Sequence, residues 1–267
     1  MSVSNIGNFS TSFPKPFQSL SCRECREGKG LDFSISMAFQ PIYDWDSRSI
    51  MSQEALVRGG NGEPASWVFE KINTTNKYAF DQACRVKAIQ VASQLEVQTK
   101  LNINFLPNAV YRPETCIAAT LEATKEFCFP VSQIVFEVTE SEEVLDKTHL
   151  LNIFESYKKQ GFSTAIDDFG AGYSGLNLLS MFQPDYLKLD MELIRDIDQS
   201  DPKYFIVDSI VTLSEKLGIQ VIAEGIETEK ELAQLRKIGV RFFQGYFFAK
   251  PSFESVTREI QHPEIIV

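Results

Sequence analysis

The stretch STAIDDFGAGYSGL, Ser163 to Leu176, sets Asp167 and Asp168 side by side where an apolar run ends. Adjacent carboxylates repel, and keeping both ionised raises one pKa unless a cation sits between them. Asp and Gly also build solvated turns, so the pair takes its meaning from the rest of the chain. Polar residues recur at matching points along it. Glu54, Asn104, Glu137, Lys188, Glu224 and Gln244 each fall in or at the end of a predicted strand, with Glu54 expected to end its own. Charge inside a strand is costly unless partnered, so carboxylates, amides and a lysine at successive strand ends read as one site. Oxygen ligands without Cys or His select hard cations such as magnesium or manganese. The chain has only two histidines, His149 and His262. Both aspartates can face one site only if their strand is ending, and glycines 170, 172 and 175 give the next loop access to positive φ.

The elements that must position these residues follow from the apolar pattern. FSISMAFQPIYD (33–44) and SIMSQEALVR (49–58) read as strands joined by the turn WDSR, too short for a crossover, and so antiparallel. Helix and strand then alternate. Helix 75–98 leads to LNINF, helix 114–127 to QIVFEV, and helix 148–159 to FSTAID. Helix 173–182 leads to DYLKLD, 203–217 to IQVIAE, and 229–238 to RFFQGYF. Eight strands, six of them following helices, fit a TIM-like (β/α)8 barrel with one antiparallel strand, in which strand C-termini converge on one rim. An open doubly wound sheet shares this periodicity. Most of Phe39, Phe242, Tyr246 and Phe247 suit a core better than a stacking surface. Cys84, Cys116 and Cys128 read as small buried apolar residues.

Composition narrows the function classes. The chain has 267 residues, 43% of them hydrophobic, which suits one large domain or two small ones. No segment reaches the apolar length of a membrane span, and Met1 to Leu20 lacks the basic start and apolar stretch of a secretory signal. Five cysteines, an odd number, point to reduced thiols and a cytoplasmic setting. A net charge of −10 disfavours DNA and anionic membranes as partners, although bound metal ions can reverse a local field for a small anionic substrate. Residues 1–30 read as a flexible leader before a barrel at 31–267. Cys22 and Cys25 there form a CxxC without the further ligands that a zinc site needs.

The motifs QEALVR (53–58), NINF (102–105), FEVTES (136–141), AIDDFGAGYSGL (165–176), DYLKLD (185–190), IAEGIE (222–227) and QGYFFAKP (244–251) resemble, in order and spacing, those of EAL-domain cyclic di-GMP phosphodiesterases. The resemblance covers residues 33–254. It implies a barrel with one antiparallel strand that hydrolyses bacterial cyclic di-GMP to linear pGpG with two ions of Mg2+ or Mn2+. By position, Glu54, Asn104, Glu137 and Asp167 would hold the first ion, and Asp167, Asp168 and Glu224 the second. Lys188 and Gln244 would contact the water layer, and Lys188 could orient the attacking water or accept its proton if metal proximity lowers its pKa. Arg58 would take a phosphate oxygen. Gln40, Leu56, Asp185, Glu227 and Pro251 would line the dinucleotide pocket. Glu140 would steady the loop after the aspartate pair through the loop backbone or Ser174.

The compact RGGNGEPASWVF segment and the CRECREGKG leader resemble the subgroup often attached to blue-light-sensing domains. The resemblance implies a homodimer, with light control supplied by a regulatory or sensor protein. A non-catalytic receptor on the same fold, for the dinucleotide or for a regulatory protein, is the alternative. From the residues alone, an enolase-like magnesium lyase also places acids and a lysine at barrel strand ends.

Overall fold

A computed structural model of the protein describes residues 30–110, 113–139, 147–172 and 175–261. Cys22, Cys25, Glu140, Ser174 and His262 lie outside these residues.

Strands β1 (Ile35–Asp44) and β2 (Ser49–Gly59) form the expected antiparallel hairpin. Asp44 shapes its turn by accepting hydrogen bonds from Asp46 N at 3.1 Å and Ser47 Oγ at 2.7 Å, as Asp commonly does in turns. Parallel pairing then runs through β3 (Lys100–Asn104), β4 (Ile134–Thr139), β5 (Ser163–Phe169), β6 (Tyr186–Leu189), β7 (Gln220–Ala223) and β8 (Phe242–Phe243). β8 pairs antiparallel with β1 and closes an eight-stranded barrel whose first strand is reversed. That closure excludes the open sheet.

The predicted strand RFFQGYF shrinks to two residues because the chain turns at Gly245. Phe247 N reaches Ile226 O, and Phe248 N and Ala249 N reach Gly245 O. A short strand absent from the sequence reading, β9 (Ser252–Phe253), takes the edge of β1 that β8 leaves open.

The helices between strands are α1 (Ala65–Phe69), α2 (Lys77–Gln94), α3 (Pro113–Cys116), α4 (Ala118–Glu126), α5 (Lys147–Lys159), α6 (Gly175–Met181), α7 (Met191–Ile194), α8 (Asp201–Leu217) and α9 (Glu229–Ile238). The expected helix 114–127 is interrupted at Ile117, whose backbone stays helical. α9 matches its expectation because its ends are marked locally. Thr228 and Glu231 form a capping box, and Gly239 closes the helix at φ +101°. No helix among the described residues is long and apolar enough to cross a membrane.

Strand residues alternate between two apolar environments. Phe136, Ile166 and Leu187 face the helices in the main core. Ile42, Val135, Ala165, Tyr186, Ile222 and Phe242 pack together as a separate cluster. Every strand adjoining this second cluster carries a polar side chain two residues further toward the opposite rim: Gln40, Glu137, Asp167, Lys188, Glu224 and Gln244. A period of two keeps these side chains on the same strand face. Glu54 belongs to this polar layer but lies in the middle of β2 rather than at its end. Cys116 is buried and Cys84 half-buried, whereas Cys128 is exposed and departs from the buried reading.

Gly245 sets the approach of the two loops beside Gln244. A Cβ at this position would stand 2.1 Å from the Ile226 carbonyl oxygen and 2.3 Å from its nitrogen. Backbone cannot rotate aside as a side chain can. Gly245→Ala should therefore destabilise the fold by about 1–3 kcal/mol, read as a lower midpoint in denaturant unfolding at unchanged slope.

Candidate active site

Five strands, with the residues just beyond them, bring the predicted acids and Lys188 into one buried cluster. Lys188 on β6 is 1% exposed. Its Nζ lies 2.7 Å from Glu224 Oε1, 3.0 Å from Asp167 Oδ1, 3.1 Å from Glu137 Oε2 and 3.3 Å from Glu54 Oε2. Amides hold the second oxygens of Glu54 and Glu137. Asn104 Nδ2 donates to Glu54 Oε1 at 3.0 Å, and Asn102 Nδ2 donates to Glu137 Oε1 at 2.6 Å. Gln244 Nε2 donates to Glu54 Oε2 at 2.8 Å and to Gln40 Oε1 at 3.2 Å. Gln40 in turn donates to Ala249 O at 3.1 Å.

Asp167 and Asp168 reach the same site by a route different from the one expected. β5 does not end at them but continues to Phe169, with an irregularity in its pairing to β6 between Ile166 and Phe169. Asp168 itself takes φ +52°, a left-handed conformation that Asp tolerates better than most residues. That turn breaks the alternation which would otherwise send its carboxylate to the opposite face. Gly170 follows at φ +104°.

Two acidic triads result, Glu54–Glu137–Asp167 and Asp167–Asp168–Glu224, each with ligand oxygens within 4.8 Å of one another. Asp167 belongs to both. Gln244 Oε1 and Asn102 Oδ1 are buried acceptors without hydrogen-bond partners among the described residues. The site therefore has a surplus of oxygen acceptors over donors, the donor chemistry that suits a hard divalent cation.

One ammonium cannot keep all of these acids ionised. Burial lowers the pKa of Lys188, but Asp167, Glu137, Glu224 and Glu54 together hold it well above its ordinary value. Burial raises Glu137 to about 8, with Lys188 opposing and the neighbouring acids adding to the rise. Burial likewise raises Glu224 well above the usual carboxylate range. Asp168 rises to about 6, first through burial and then through the charge of Asp167. Near neutral pH the cluster thus retains protons on carboxylates while Lys188 stays charged.

Two cavities flank the cluster and share Glu54 and Asp168. One, of about 320 Å³, includes Arg58, Leu56, Asn104 and Asp167 and runs on to the apolar Phe69 and Phe80. The other, of about 270 Å³, includes Gln40, Asp190, Glu224, Glu227, Gln244 and Tyr246. Tyr246, one of the four aromatics most of which suit a core, is 56% exposed. Glu227 stands at the second cavity in an ion pair with Arg195 at 2.6 Å. Buried Glu231 supports its loop by accepting from Glu227 N and Thr228 N, both at 3.0 Å. Pro251 lies immediately before β9 and outside the lining of both cavities.

Asp185 requires a correction. It immediately precedes β6, at the N-terminal rim, where its carboxylate accepts from Thr164 N at 2.8 Å and faces Lys158. The opposite end of DYLKLD supplies the acid near the site instead. Asp190 caps α7 by accepting from Glu192 N at 2.8 Å, and it lines the second cavity. Asn102 was also missed, although its place two residues before Asn104 puts it on the same strand face.

With this geometry in view, a family model described as the EAL domain matches residues 31–251. The chain belongs to the EAL domain family. Among curated relatives it is 34% identical over 220 residues to the blue light- and temperature-regulated antirepressor BluF of Escherichia coli, covering 82% of this chain and 55% of the relative. It is 31% identical to the probable cyclic di-GMP phosphodiesterase PdeG of the same organism, covering 80% and 44%. The chain thus spans about half the length of these two relatives. Among solved structures, a standalone EAL protein of Vibrio cholerae in its c-di-GMP-bound form shares 51% identity at a TM-score of 0.83, covering 86% of this chain and 97% of that one. The manganese and cyclic di-GMP complex of Klebsiella pneumoniae BlrP1 shares 35% at a TM-score of 0.81, covering 86% and 59%.

The proton-holding acids of this EAL domain predict a pH signature. Carboxyls with raised folded-state pKa bind more protons folded than unfolded, so stability falls as pH rises from about 4 through 6 and toward 8. In EDTA, the unfolding temperature should fall between pH 5 and pH 8.5. Added Mn2+ competes with protons for the same oxygens, so it should raise that temperature more at pH 8.5 than at pH 6. Calorimetry at the two pH values checks both signs.

Proposed function

We propose that this chain hydrolyses cyclic di-GMP to linear pGpG with two divalent cations, Mg2+ or Mn2+, held by Glu54, Asn104, Glu137, Asp167, Asp168 and Glu224. The observation that carries this reading is the sharing of Asp167 between two acidic triads at the junction of two cavities. Cavities that meet at Glu54 and Asp168 suit a cyclic dinucleotide, whose two bases diverge from a central phosphodiester ring. When bound, divalent cations polarise a phosphodiester and make an attacking hydroxide available at neutral pH.

The chain's own groups do the rest. Arg58 lines the first cavity and offers a planar fork to a phosphate oxygen. Asn102, Gln40 and Gln244 fix the rotamers of Glu137 and Glu54, directly or through one another. Lys188 Nζ is a charged donor at the centre of the acids, so its role is to orient oxygen and balance charge. A homodimer and a regulatory or sensor partner enter this proposal through the family resemblance, and cytoplasmic residence enters through the cysteine usage. BluF, named an antirepressor, favours a second reading in which the domain binds the dinucleotide or a regulatory protein without turnover.

The purified protein with Mg2+ or Mn2+ should convert cyclic di-GMP to pGpG, followed by chromatography, and EDTA should stop the reaction. Ca2+, larger and looser in geometry, should support binding without turnover. Asp167→Ala and Glu54→Ala should abolish turnover. Lys188→Ala should lower kcat by about 100-fold with KM little changed, the scale of losing one preorganised donor. Dinucleotide binding without pGpG in any metal would establish the second reading, and wild-type turnover by Asp167→Ala would overturn the first.

A further inference from the structure

Asp81 and Arg85 on α2 lie behind the cluster and take no part in the chemistry described above. Both are buried, at 2% and 0% exposure. Arg85 Nη2 stands 2.7 Å from Asp81 Oδ2, and Nη1 donates to Tyr157 Oη on α5 at 2.8 Å. The guanidinium carbon lies 5.3, 5.2 and 5.9 Å from the ring centroids of Phe105, Phe136 and Tyr157. Arg85 Nε has no hydrogen-bond partner among the described residues.

A buried ion pair with an incompletely satisfied guanidinium is a poor device for stability, because desolvation offsets its Coulomb gain. Its connections suggest another use. β3 ends at Asn104, and two residues later Leu106 N donates to Asp81 Oδ1 at 2.9 Å. Between them, Phe105 N donates to Glu137 O at 3.0 Å. The backbone that carries Asn104 is therefore held on one side by β4 and on the other by the Asp81 carboxylate. Arg85 sits against Phe105 and Phe136, the chain neighbours of Asn104 and Glu137. Asp81 also lines the cavity that contains Asn104.

We propose that Asp81 and Arg85 form a positioning pair that sets Asn104 and Glu137 for cation binding. The inference rests on the cation site of the proposed function. Mn2+ titration of the full chain, with free ion followed by electron paramagnetic resonance, tests it independently of turnover. Asp81→Leu/Arg85→Met removes both charges together and should leave the unfolding temperature within a few degrees of wild type. It should bind Mn2+ about 10-fold more weakly, the scale at which supporting partners tune a metal site. Asp81→Asn/Arg85→Met keeps an oxygen for Leu106 N and should recover affinity to within about 3-fold of wild type.

Wild-type affinity in a folded Asp81→Leu/Arg85→Met protein would overturn the proposal, as would full wild-type affinity in Asp81→Asn/Arg85→Met, which would leave Arg85 without a role. If the apolar pair does not fold, Tyr157→Phe decides. It removes only the partner of Arg85 Nη1 and should weaken Mn2+ binding by about 2- to 3-fold, and unchanged affinity would overturn the pair's role. Absence of Mn2+ binding by the wild-type protein would instead overturn the cation site itself.

Discussion

Lys188 Nζ lies 2.7 to 3.3 Å from carboxylate oxygens of Glu54, Glu137, Asp167 and Glu224, so one ammonium faces four acids inside a barrel. Each of those acids gains from the lysine and loses to the other three. In a medium less polarisable than water both effects strengthen, and removing the lysine would leave only repulsion. The strands set the positions of the acids, and the ammonium holds the close approach together. Burial first, and then the charge the lysine leaves unbalanced, raises Glu137, Glu224 and Asp168, and protons or added cations must meet that charge.

The barrel creates this concentration of charge by repetition. Val135, Ala165, Tyr186, Ile222 and Phe242 form part of one apolar cluster, and a step of two residues along each strand reaches Glu137, Asp167, Lys188, Glu224 and Gln244. On reversed β1 the same step runs backward, from Ile42 to Gln40. A polar layer therefore rests on an apolar floor, which keeps water from its lower side. Asp168 departs from this step, and its positive φ lets a neighbouring residue join the layer. The cost of that conformation, about 1–2 kcal/mol, is compatible with a position that the site over-determines.

Much of this was legible in the chain because the relevant signals are local and periodic. The hairpin followed from a four-residue turn, and strands alternating with helices narrowed the fold to a barrel or an open doubly wound sheet, between which the β8–β1 pairing decides. The acids stood out as charges within apolar runs. The errors arose where three-dimensional direction mattered. Asp185 and Asp190 bracket the same strand, and only strand direction places the second, not the first, on the rim with Lys188. Asn102 was masked by the more prominent Asn104 on the same face. Glu231 drew no reading of its own, yet it is 1% exposed and accepts from the backbone of Glu227 and Thr228. β9 is two residues long, below the reach of any period, and exists because β8 leaves part of the β1 edge unpaired. Glu140 stays a sequence expectation, since it lies outside the described residues.

Charge also orders the events that the proposed function requires. A chain of net charge −10 offers no general attraction to a dinucleotide carrying two phosphates. The junction of the cavities gathers Glu54, Glu137, Asp167, Asp168 and Glu224 around a single Lys188, and Arg58 alone cannot reverse its field. Cations at the triads would turn the local potential from repulsive to attractive. Cation and dinucleotide affinity must then be coupled, and the coupling is reciprocal: whatever one adds to the binding of the other is returned in equal free energy. Lys188 sits between the two requirements. It is positive enough to hold the acids together before cations arrive, yet a single charge is too small to replace them.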